Sequence, residues 1–239
     1  MNDVRFDWDR SARTGVAEAV LADGKSTEQI ASVLRQALDR RRPVLITRLS
    51  ADQFEALRDH CGDSLDYDPL SRTAILGAPE PVRELRSVGV VCAGTSDLPV
   101  ALEAQRSLTY LGIETALYAD VGVAGLWRLM SVADELRRHA VLIAVAGMEG
   151  SLFSVLSGLV PGVVIAVPTS IGYGVSSGGR VALESALSSC SPGVVCVNID
   201  NGFGAAAAAR KMLLSAHHAA GAQPHSPPRD NPVGSRPDR

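Results

Sequence analysis

The loop Gly147-Met148-Glu149-Gly150 presents a carboxylate among glycines, directly after an apolar run. A carboxylate that is poorly solvated at the mouth of a sheet can accept a proton, so Glu149 is a candidate general base. The other interpretation is an acid at the start of a helix, where negative charge interacts favourably with the helix dipole. The residue pattern alone leaves both interpretations open.

A second candidate is the thiol of Cys190, in the segment SSCSPG at 188–193. A cysteine thiolate is a strong nucleophile, but the end of a helix does not favour the thiolate, so a cationic ligand would have to activate it. The alternative is a small buried hydrophobic residue. Cys196, in the middle of the predicted strand VVCVN, fits that alternative better than Cys190 does.

Three further loops carry hydroxyl, carboxylate or amide side chains beside glycines, and each follows an apolar run. Such loops at helix N-termini bind phosphate or ribose hydroxyl groups. In the first of them, Ser96 or Asp97 could instead only cap the following helix. The candidate binding residues are Gly94, Thr95, Ser96, Asp97, Gly147, Thr169, Ser170, Gly172, Tyr173, Asn198, Asp200 and Asn201. The chain has no GxGxxG motif, so a dinucleotide site for hydride transfer is poorly supported.

The elements that must position these loops alternate regularly between strand and helix from Val88 onward. The predicted strands are Val88–Ala93, Thr115–Ala119, Val141–Ala146, Val163–Val167 and Val194–Asn198. The predicted helices are Leu98–Leu111, Leu126–Arg137, Ser151–Leu159, Gly179–Ser189 and Ala205–His218. This alternation indicates a three-layer α/β fold with a doubly wound, flavodoxin-like parallel sheet. Ligands of such sheets bind beyond the carboxyl ends of the strands, where the candidate loops lie.

The sequence pattern in the first third of the chain predicts a small α+β domain. Ser26 and Ser50 each precede a glutamine by three residues, a spacing that predicts capping boxes at the start of two helices. Pro43–Leu49 is predicted as a strand and Thr73–Leu76 as an edge strand, with irregular segments elsewhere. The expected domains are 1–84 (small N-terminal domain), 85–221 (catalytic domain) and 222–239 (disordered tail).

Composition excludes several classes of protein. The 239 residues are 46% hydrophobic, which is ample for a core, and the net charge of −3 gives no basic surface for nucleic acid. The apolar stretches are interrupted before they could span a bilayer, and the charged N-terminus does not look like a signal peptide. The four cysteines lack the spacing of a zinc site or a disulfide framework. We therefore expect a cytoplasmic protein with reduced thiols and with no membrane or nucleic-acid partner.

The chain resembles the LarB family through AGTSDLPVALEA, DVGVAGLWRLM, VAGMEGSL, VIAVPTSIGYG and SSCSPGVVCVNIDNGFGAA, with ARTG, GKSTEQI and ITRLS near its start. LarB proteins are pyridinium-3,5-biscarboxylic acid mononucleotide synthases, which begin the synthesis of the nickel-pincer nucleotide cofactor of lactate racemase. The resemblance covers about residues 5 to 213. Through GTSDLPV and VIAVP, the second domain also resembles the catalytic domain of phosphoribosylaminoimidazole carboxylases (PurE).

The resemblance implies a reaction on nicotinic acid adenine dinucleotide. Carbon dioxide or bicarbonate would supply a carboxylate to C5 of the pyridinium ring, and hydrolysis of the phosphoanhydride would release AMP. The family's nucleophilic cysteine falls on Cys190 and its acid on Glu149, which would remove the C5 proton. The candidate loops would hold the ribose, the phosphates and the existing carboxylate. The resemblance also implies no tightly bound cofactor beyond Mg²⁺ on the substrate phosphates, and a homo-oligomer such as an octamer with active sites near subunit contacts.

Two alternatives stay open at this point. One is a purine-type carboxylase acting on aminoimidazole ribonucleotide, although the histidine of those enzymes is absent from Ser151–Ser154. The other is a nucleotide-binding module without turnover, because Trp127 stands where the family pattern GVAGLHRL has a histidine.

Overall fold

Two β-sheets organise the computed structural model, which describes residues 4–82, 85 and 87–221. The expected domain boundary near Glu84 and the expected tail at 222–239 lie outside the described residues. Among the described residues, no helix combines the length and the apolar character needed to cross a membrane.

The N-terminal sheet has four strands. They are β1 (Ala19–Leu21), β2 (Val44–Thr47), β3 (Leu65–Asp68) and β4 (Thr73–Leu76), in the order β1-β2-β4-β3. Its helices are α1 (Arg10–Thr14), α2 (Thr27–Arg40) and α3 (Ala51–Cys61). Both predicted capping boxes are confirmed, since the hydroxyls of Ser26 and Ser50 accept hydrogen bonds from the backbone N–H groups of Gln29 and Gln53.

The predicted position of Thr73–Leu76 at a sheet edge is wrong. This strand, β4, lies between β2 and β3 and is buried along its whole length. Its outer neighbour β3 falls in a segment whose sequence looks like a polar loop, because two of its four residues are aspartates, which are rare in strands.

The second sheet has five strands, all parallel. They are β5 (Val88–Cys92), β6 (Thr115–Tyr118), β7 (Val141–Ala146), β8 (Val163–Pro168) and β9 (Val194–Cys196), in the order β6-β5-β7-β8-β9. The remaining helices are α4 (Leu98–Tyr110), α5 (Leu126–Ser131), α6 (Ala133–Leu136), α7 (Ser151–Leu159), α8 (Arg180–Leu187) and α9 (Gly202–Gly221). This strand order is flavodoxin-like, and the predicted three-layer α/β fold is confirmed.

Helices cover both faces of this sheet. Alternate residues of β7 point to opposite sides: Ile143 packs in the cluster that includes α4 and α9, whereas Leu142 packs in the cluster that includes α5–α8. Because both faces are buried, the strand is apolar throughout and shows no polar alternation. One helix was predicted over 126–137, but Val132 interrupts it and leaves α5 and α6.

The N-terminal sheet packs against the α4 side of the second sheet. Leu45 and Ile75 belong to the same buried cluster as α4 and α9. Arg106 of α4 donates hydrogen bonds to the Thr73 hydroxyl (2.6 Å) and to the backbone oxygen of Asp66 (2.8 Å). The Tyr110 hydroxyl donates to the backbone oxygen of Glu18 at 2.8 Å. From the last described helix, Arg210 donates to the backbone oxygens of Gly15 and Leu111.

Candidate active site

A cavity of about 750 Å³ opens at the carboxyl edge of the parallel sheet. It lies between the loops that follow β5, β6, β7 and β8. The helix after β5 packs on one face of the sheet and the helix after β7 packs on the other. This is the switch point at which doubly wound folds bind ligands. The predicted site residues that line the cavity are Gly94, Ser96, Asp97, Gly147, Glu149, Ser170, Gly172 and Tyr173. Those outside its lining are Thr95, Thr169, Cys190, Asn198, Asp200 and Asn201.

The loop after β7 has an unusual backbone. Met148 adopts a positive φ of 51°, which is uncommon for a residue with a side chain. The Met148 N–H donates a 2.8 Å hydrogen bond to the backbone oxygen of Ile171, in the loop after β8. A Cβ atom on Gly147 would collide with that same oxygen, so only glycine allows the two loops to approach this closely. Such strained positions accumulate at functional sites, which makes this loop the best candidate for chemistry.

Glu149 is exposed at the cavity mouth, where its carboxylate accepts a 2.5 Å hydrogen bond from the Ser151 hydroxyl. The expectation that this carboxylate is poorly solvated is therefore wrong for the single chain, because the loop presents it to solvent. It also precedes α7 by two residues, so it lies where the helix dipole favours negative charge. A ligand that covers the cavity mouth would be needed to desolvate it.

Asp97 is buried beneath the cavity and holds two loops together. Its carboxylate accepts hydrogen bonds from the Gly94 N–H (3.0 Å) and from the hydroxyl of the fully buried Thr169 (2.6 Å). Burial raises the pKa of Asp97, and these hydrogen bonds oppose that rise. The hydrogen bond from the Gly94 N–H makes Asp97 part of the cap of the short 3-10 turn Thr95–Asp97, which leads directly into α4, although no side chain caps the first residue of α4 itself.

Asp200 connects the cavity to the N-terminal domain. Its carboxylate accepts a 2.8 Å hydrogen bond from the N–H of Ser170, a residue of the cavity lining. The backbone oxygen of Asp200 in turn accepts a 3.0 Å hydrogen bond from the guanidinium of Arg48. Asp200 thus holds the loop after β8 through its side chain and contacts Arg48 of the N-terminal domain through its backbone oxygen.

Backbone N–H groups at the start of α9 already donate hydrogen bonds to side chains of the protein. The side-chain oxygen of Asn201 accepts from the Gly204 N–H at 2.8 Å, and the buried carboxylate of Glu103 accepts from the Phe203 N–H at 2.9 Å. Burial raises the pKa of Glu103, and the hydrogen bond from the Phe203 N–H and the charge of Arg48 oppose that rise. The Asn198 side chain likewise accepts from the N–H of Ile199. The amides expected to hold phosphate here are therefore already partly bonded.

Cys190 is exposed and lies outside the cavity. Its neighbours attach it to α7: the Ser189 and Ser154 hydroxyls are 2.8 Å apart, and the Ser191 hydroxyl donates to the backbone oxygen of Ser154 at 2.9 Å. Ser154 follows Gly150, a lining residue, by four positions, about 6 Å along a helix. The residues on either side of Cys190 are therefore bonded to α7, the helix whose first residues line the cavity.

The other cysteines near the sheet have different surroundings. Cys92 is completely buried, and burial raises its pKa to about 12. Cys196 is partly buried, and burial raises its pKa also. Both therefore stay protonated at neutral pH, which leaves Cys190 as the accessible thiol of the three.

Sequence reasoning missed two residues of the cavity, Arg128 and Asp120. Arg128 donates a 2.6 Å hydrogen bond from Nη1 to the Asp120 carboxylate. Among the lining residues that the structure describes, Arg128 is the single cation. Asp120 directly follows the predicted strand Thr115–Ala119, so the strand-end rule that found the other loops would have found it, whereas Arg128 lies inside α5. The neighbouring Trp127 is 74% exposed and does not line the cavity.

In the part of the chain that the structure describes, no cluster of three or more His, Cys, Asp or Glu side chains could hold a metal ion.

Two family models match the chain. A LarB/PurE-like N-terminal domain matches residues 1–78, and an AIR carboxylase domain matches residues 87–224. The chain belongs to the AIR carboxylase family, with an N-terminal domain of the LarB/PurE-like type. The resemblance to LarB proteins with a PurE-like second domain is thereby confirmed, and membership of this family supports a carboxylase.

Individual proteins are also similar to this chain. An uncharacterized protein of Methanocaldococcus jannaschii is 37% identical over 211 residues, covering 84% of this chain and 80% of that protein. The crystal structure of Treponema denticola PurE aligns with 56% of this AIR carboxylase family member, and the alignment covers 93% of the PurE chain. The sequence identity is 20% and the TM-score is 0.42. A variant of PurE from the same organism gives the same identity and TM-score.

Proposed function

We propose that this protein carboxylates the pyridinium ring of nicotinic acid adenine dinucleotide at C5 and hydrolyses the phosphoanhydride to release AMP. The charge of the cavity carries the proposal. Its described lining residues include the carboxylates of Asp97, Asp120 and Glu149 against one guanidinium, that of Arg128. Carboxylates stabilise the positive charge on the nitrogen of a pyridinium ring, a charge that the aminoimidazole ring of a purine precursor lacks.

The chemistry of the ring requires a nucleophile before a carboxylate can be added. A pyridinium ring is an electrophile, so it cannot attack carbon dioxide directly. Addition of the Cys190 thiolate at C4 would place an electron pair on the ring nitrogen and make C5 a nucleophilic enamine carbon. C5 then attacks carbon dioxide, Glu149 removes the C5 proton, and departure of the thiolate restores the aromatic ring.

The positions of the two groups are compatible with these roles. Glu149 is at the cavity mouth, and the serines on either side of Cys190 bond to Ser154 of α7, whose first residues line the cavity. A ring bound at the mouth would cover the exposed Glu149 carboxylate and bring it close to the C5 proton. The positive charge of the ring would favour the thiolate of Cys190, which no described helix N-terminus activates.

The second step is hydrolysis. The glycines of the cavity, Gly94, Gly147 and Gly172, have no side chains and so let a ligand approach the backbone closely, and Ser96 and Ser170 add polar atoms beside them. We assign the diphosphate to this side of the cavity, where water attack on the phosphoanhydride separates AMP from the dicarboxylated mononucleotide.

Mass spectrometry tests the proposal. The protein is incubated with nicotinic acid adenine dinucleotide, bicarbonate and Mg²⁺, which pairs with diphosphates. AMP together with a dicarboxylated pyridinium mononucleotide is the expected result. A dicarboxylated dinucleotide without AMP would contradict the hydrolysis step. Turnover of aminoimidazole ribonucleotide in its place, or dinucleotide binding without either product, would overturn the proposal.

Two variants separate the roles of the candidate residues. Cys190→Ala should abolish carboxylation, whereas Glu149→Gln should still bind substrate and accumulate the thiol adduct. Cys61→Ala is the matched control, because Cys61 lies at the end of α3 in the N-terminal domain. Full carboxylation by Cys190→Ala would refute the covalent mechanism, and normal turnover by Glu149→Gln would remove its role as base.

A further inference from the structure

A series of hydrogen bonds leads from the N-terminal sheet to the wall of the cavity. The Arg72 guanidinium donates to the backbone oxygen of Arg48 at 3.1 Å, and the Arg48 guanidinium donates to the backbone oxygen of Asp200 at 3.0 Å. The Asp200 carboxylate accepts from the N–H of Ser170, a lining residue, at 2.8 Å. The turns that follow β2 and precede β4 are thereby connected to the loop after β8.

The backbone is left-handed at both arginines of this series and at Asp200. The φ angles are 55° at Arg48, 54° at Arg72 and 54° at Asp200. Residues with side chains rarely adopt this conformation, and it persists where the surrounding structure holds it, which is common at functional sites. In the described part of the chain, the other non-glycine residues with a positive φ are the cavity residues Asp120 and Met148, and Arg41. Most of these unusual positions therefore lie in the cavity loops or in this series of contacts.

Arg48 also places a positive charge beside buried carboxylates. Burial raises the pKa of Glu103, the charge of Asp200 adds to that rise and the charge of Arg48 opposes it. Burial raises the pKa of Asp97 beneath the cavity, and the charge of Asp200 adds to that rise as well. Arg48 thus offsets part of the repulsion among the carboxylates that lie behind the loop after β8.

We propose that Arg48 is a positioning residue of the active site, which fixes the diphosphate-binding loop after β8 through Asp200. The inference rests on the proposed function, which assigns the diphosphate to the side of the cavity that includes Ser170. Arg48 does not line the cavity, so it acts through Asp200 and not on the substrate. A loop that is held in place before the ligand arrives loses less entropy on binding. The N-terminal domain thereby contributes to the affinity of a site in the other domain.

The variant Arg48→Asn removes the contact with little change to the backbone. Asparagine tolerates a left-handed conformation, but its side chain is too short to reach Asp200 from this position. Arg41→Asn is the matched control, because Arg41 is also left-handed, with a φ of 52°, and directly follows α2. Both variants lose one positive charge from one left-handed arginine, so a difference between them reports the contact with Asp200.

Hydrogen–deuterium exchange measures the effect on the loop without any substrate. Arg48→Asn should speed exchange in the peptide that contains Ser170 by about tenfold or more, the effect expected when a hydrogen bond from a charged donor is lost. Arg41→Asn should leave exchange in that peptide unchanged. Unchanged exchange in Arg48→Asn would overturn the inference.

Steady-state kinetics on the full-length protein measure the effect on the substrate. Arg48→Asn should raise KM for nicotinic acid adenine dinucleotide by about tenfold or more and leave KM for bicarbonate unchanged. A variant that is only less folded would lower kcat and leave both KM values unchanged, because the folded fraction would bind normally. Arg48→Lys keeps a charged donor and should recover part of the affinity.

The outcomes distinguish this inference from the proposed function. Faster exchange near Ser170 with an unchanged KM for the dinucleotide would overturn the positioning role, and so would an equal rise of KM in Arg41→Asn. If the wild-type protein forms no product from the dinucleotide, the proposed function fails and the assignment to this substrate fails with it. The exchange measurement decides separately whether Arg48 holds the loop.

Discussion

The Thr169 hydroxyl donates a 2.6 Å hydrogen bond to the Asp97 carboxylate, across 72 positions of sequence. The two residues belong to the loops after β5 and β8, which flank β7 in the sheet. Their bond therefore closes a bridge beneath the loop that carries Glu149. Both side chains are buried, so if this hydrogen bond is broken neither group can form one with water in its place.

Thr169→Val should lower the free energy of unfolding by about 1.5–3 kcal/mol at pH 7, because it removes the hydroxyl donor from a buried carboxylate. Thr109→Val is the control, since the exposed Thr109 hydroxyl bonds only to its own helix, and we expect about 0.5 kcal/mol or less. Urea unfolding measures both. Similar losses in the two variants would show that the bridge contributes little.

The same variant should show a defined pH dependence. The pKa of Asp97 is raised on folding, so its ionisation costs stability as the pH rises above about 3.8, the value for a free aspartate. Loss of the Thr169 donor raises this pKa further. The deficit of Thr169→Val should therefore be smaller near pH 4 than at pH 7, and a deficit independent of pH would contradict this account.

Gly147→Ala and Gly158→Ala should have opposite effects on stability. At Gly147 a Cβ atom would lie 2.7 Å from the Thr169 hydroxyl and would collide with the backbone oxygen of Ile171, so we expect a loss of about 1–3 kcal/mol. Gly158 lies in α7 with open space around it, so alanine should add about 0.5–1 kcal/mol. Thermal unfolding of the pair checks this prediction, which a loss in both variants would contradict.

Alkylation of the thiols should follow their exposure and pKa. Iodoacetamide at neutral pH should modify Cys190 first, because it is exposed. Cys92 should react only after unfolding, because it is fully buried and its pKa is about 12. Peptide mass mapping over time measures the order. Protection of Cys190 by nicotinic acid adenine dinucleotide is expected if the ligand covers it, and early labelling of Cys92 would contradict the buried position.

Tyr110→Phe should be destabilising at neutral pH by about 1 kcal/mol, because the hydrogen bond to Glu18 is lost. Burial raises the pKa of Tyr110 from 10.0 to about 12. Between these pH values the phenol ionises in the unfolded chain but not in the folded protein, so the free energy of unfolding of the wild-type protein falls as the pH rises. The deficit of the variant should therefore shrink as the pH rises from 10 to 12. Denaturant unfolding across this range measures the difference, and a constant deficit would be the contrary result.

The parallel sheet could be predicted from sequence because its strands are unbroken apolar runs separated by helices. Val141–Ala146 and Ser151–Leu159 have the same bounds in the structure as in the prediction. Short strands of the N-terminal sheet could not be predicted in the same way. Leu65–Asp68 has four residues and two aspartates, and it becomes a strand only because β4 offers it backbone partners.

The cavity was predicted in part. Gly94 and Glu149 follow strand ends, and strand ends of a parallel sheet meet at one edge. Burial could not be predicted, because Glu149 is exposed and Thr169 is enclosed although both belong to similar polar loops. Arg128 was missed because a single arginine in a helix has the sequence pattern of a solvated residue. The roles of Cys190 and the other site residues stay predictions.

Arg210 in the last described helix bonds to Gly15, a separation of 195 residues. A ribosome releases the amino end of this chain long before residue 210 is synthesised. The first turns of the protein therefore lack this partner until residue 210 has been synthesised. Long-range contacts of this kind slow folding, since a large loop must close before they form. The N-terminal domain reaches its final packing only after Arg210 has left the ribosome.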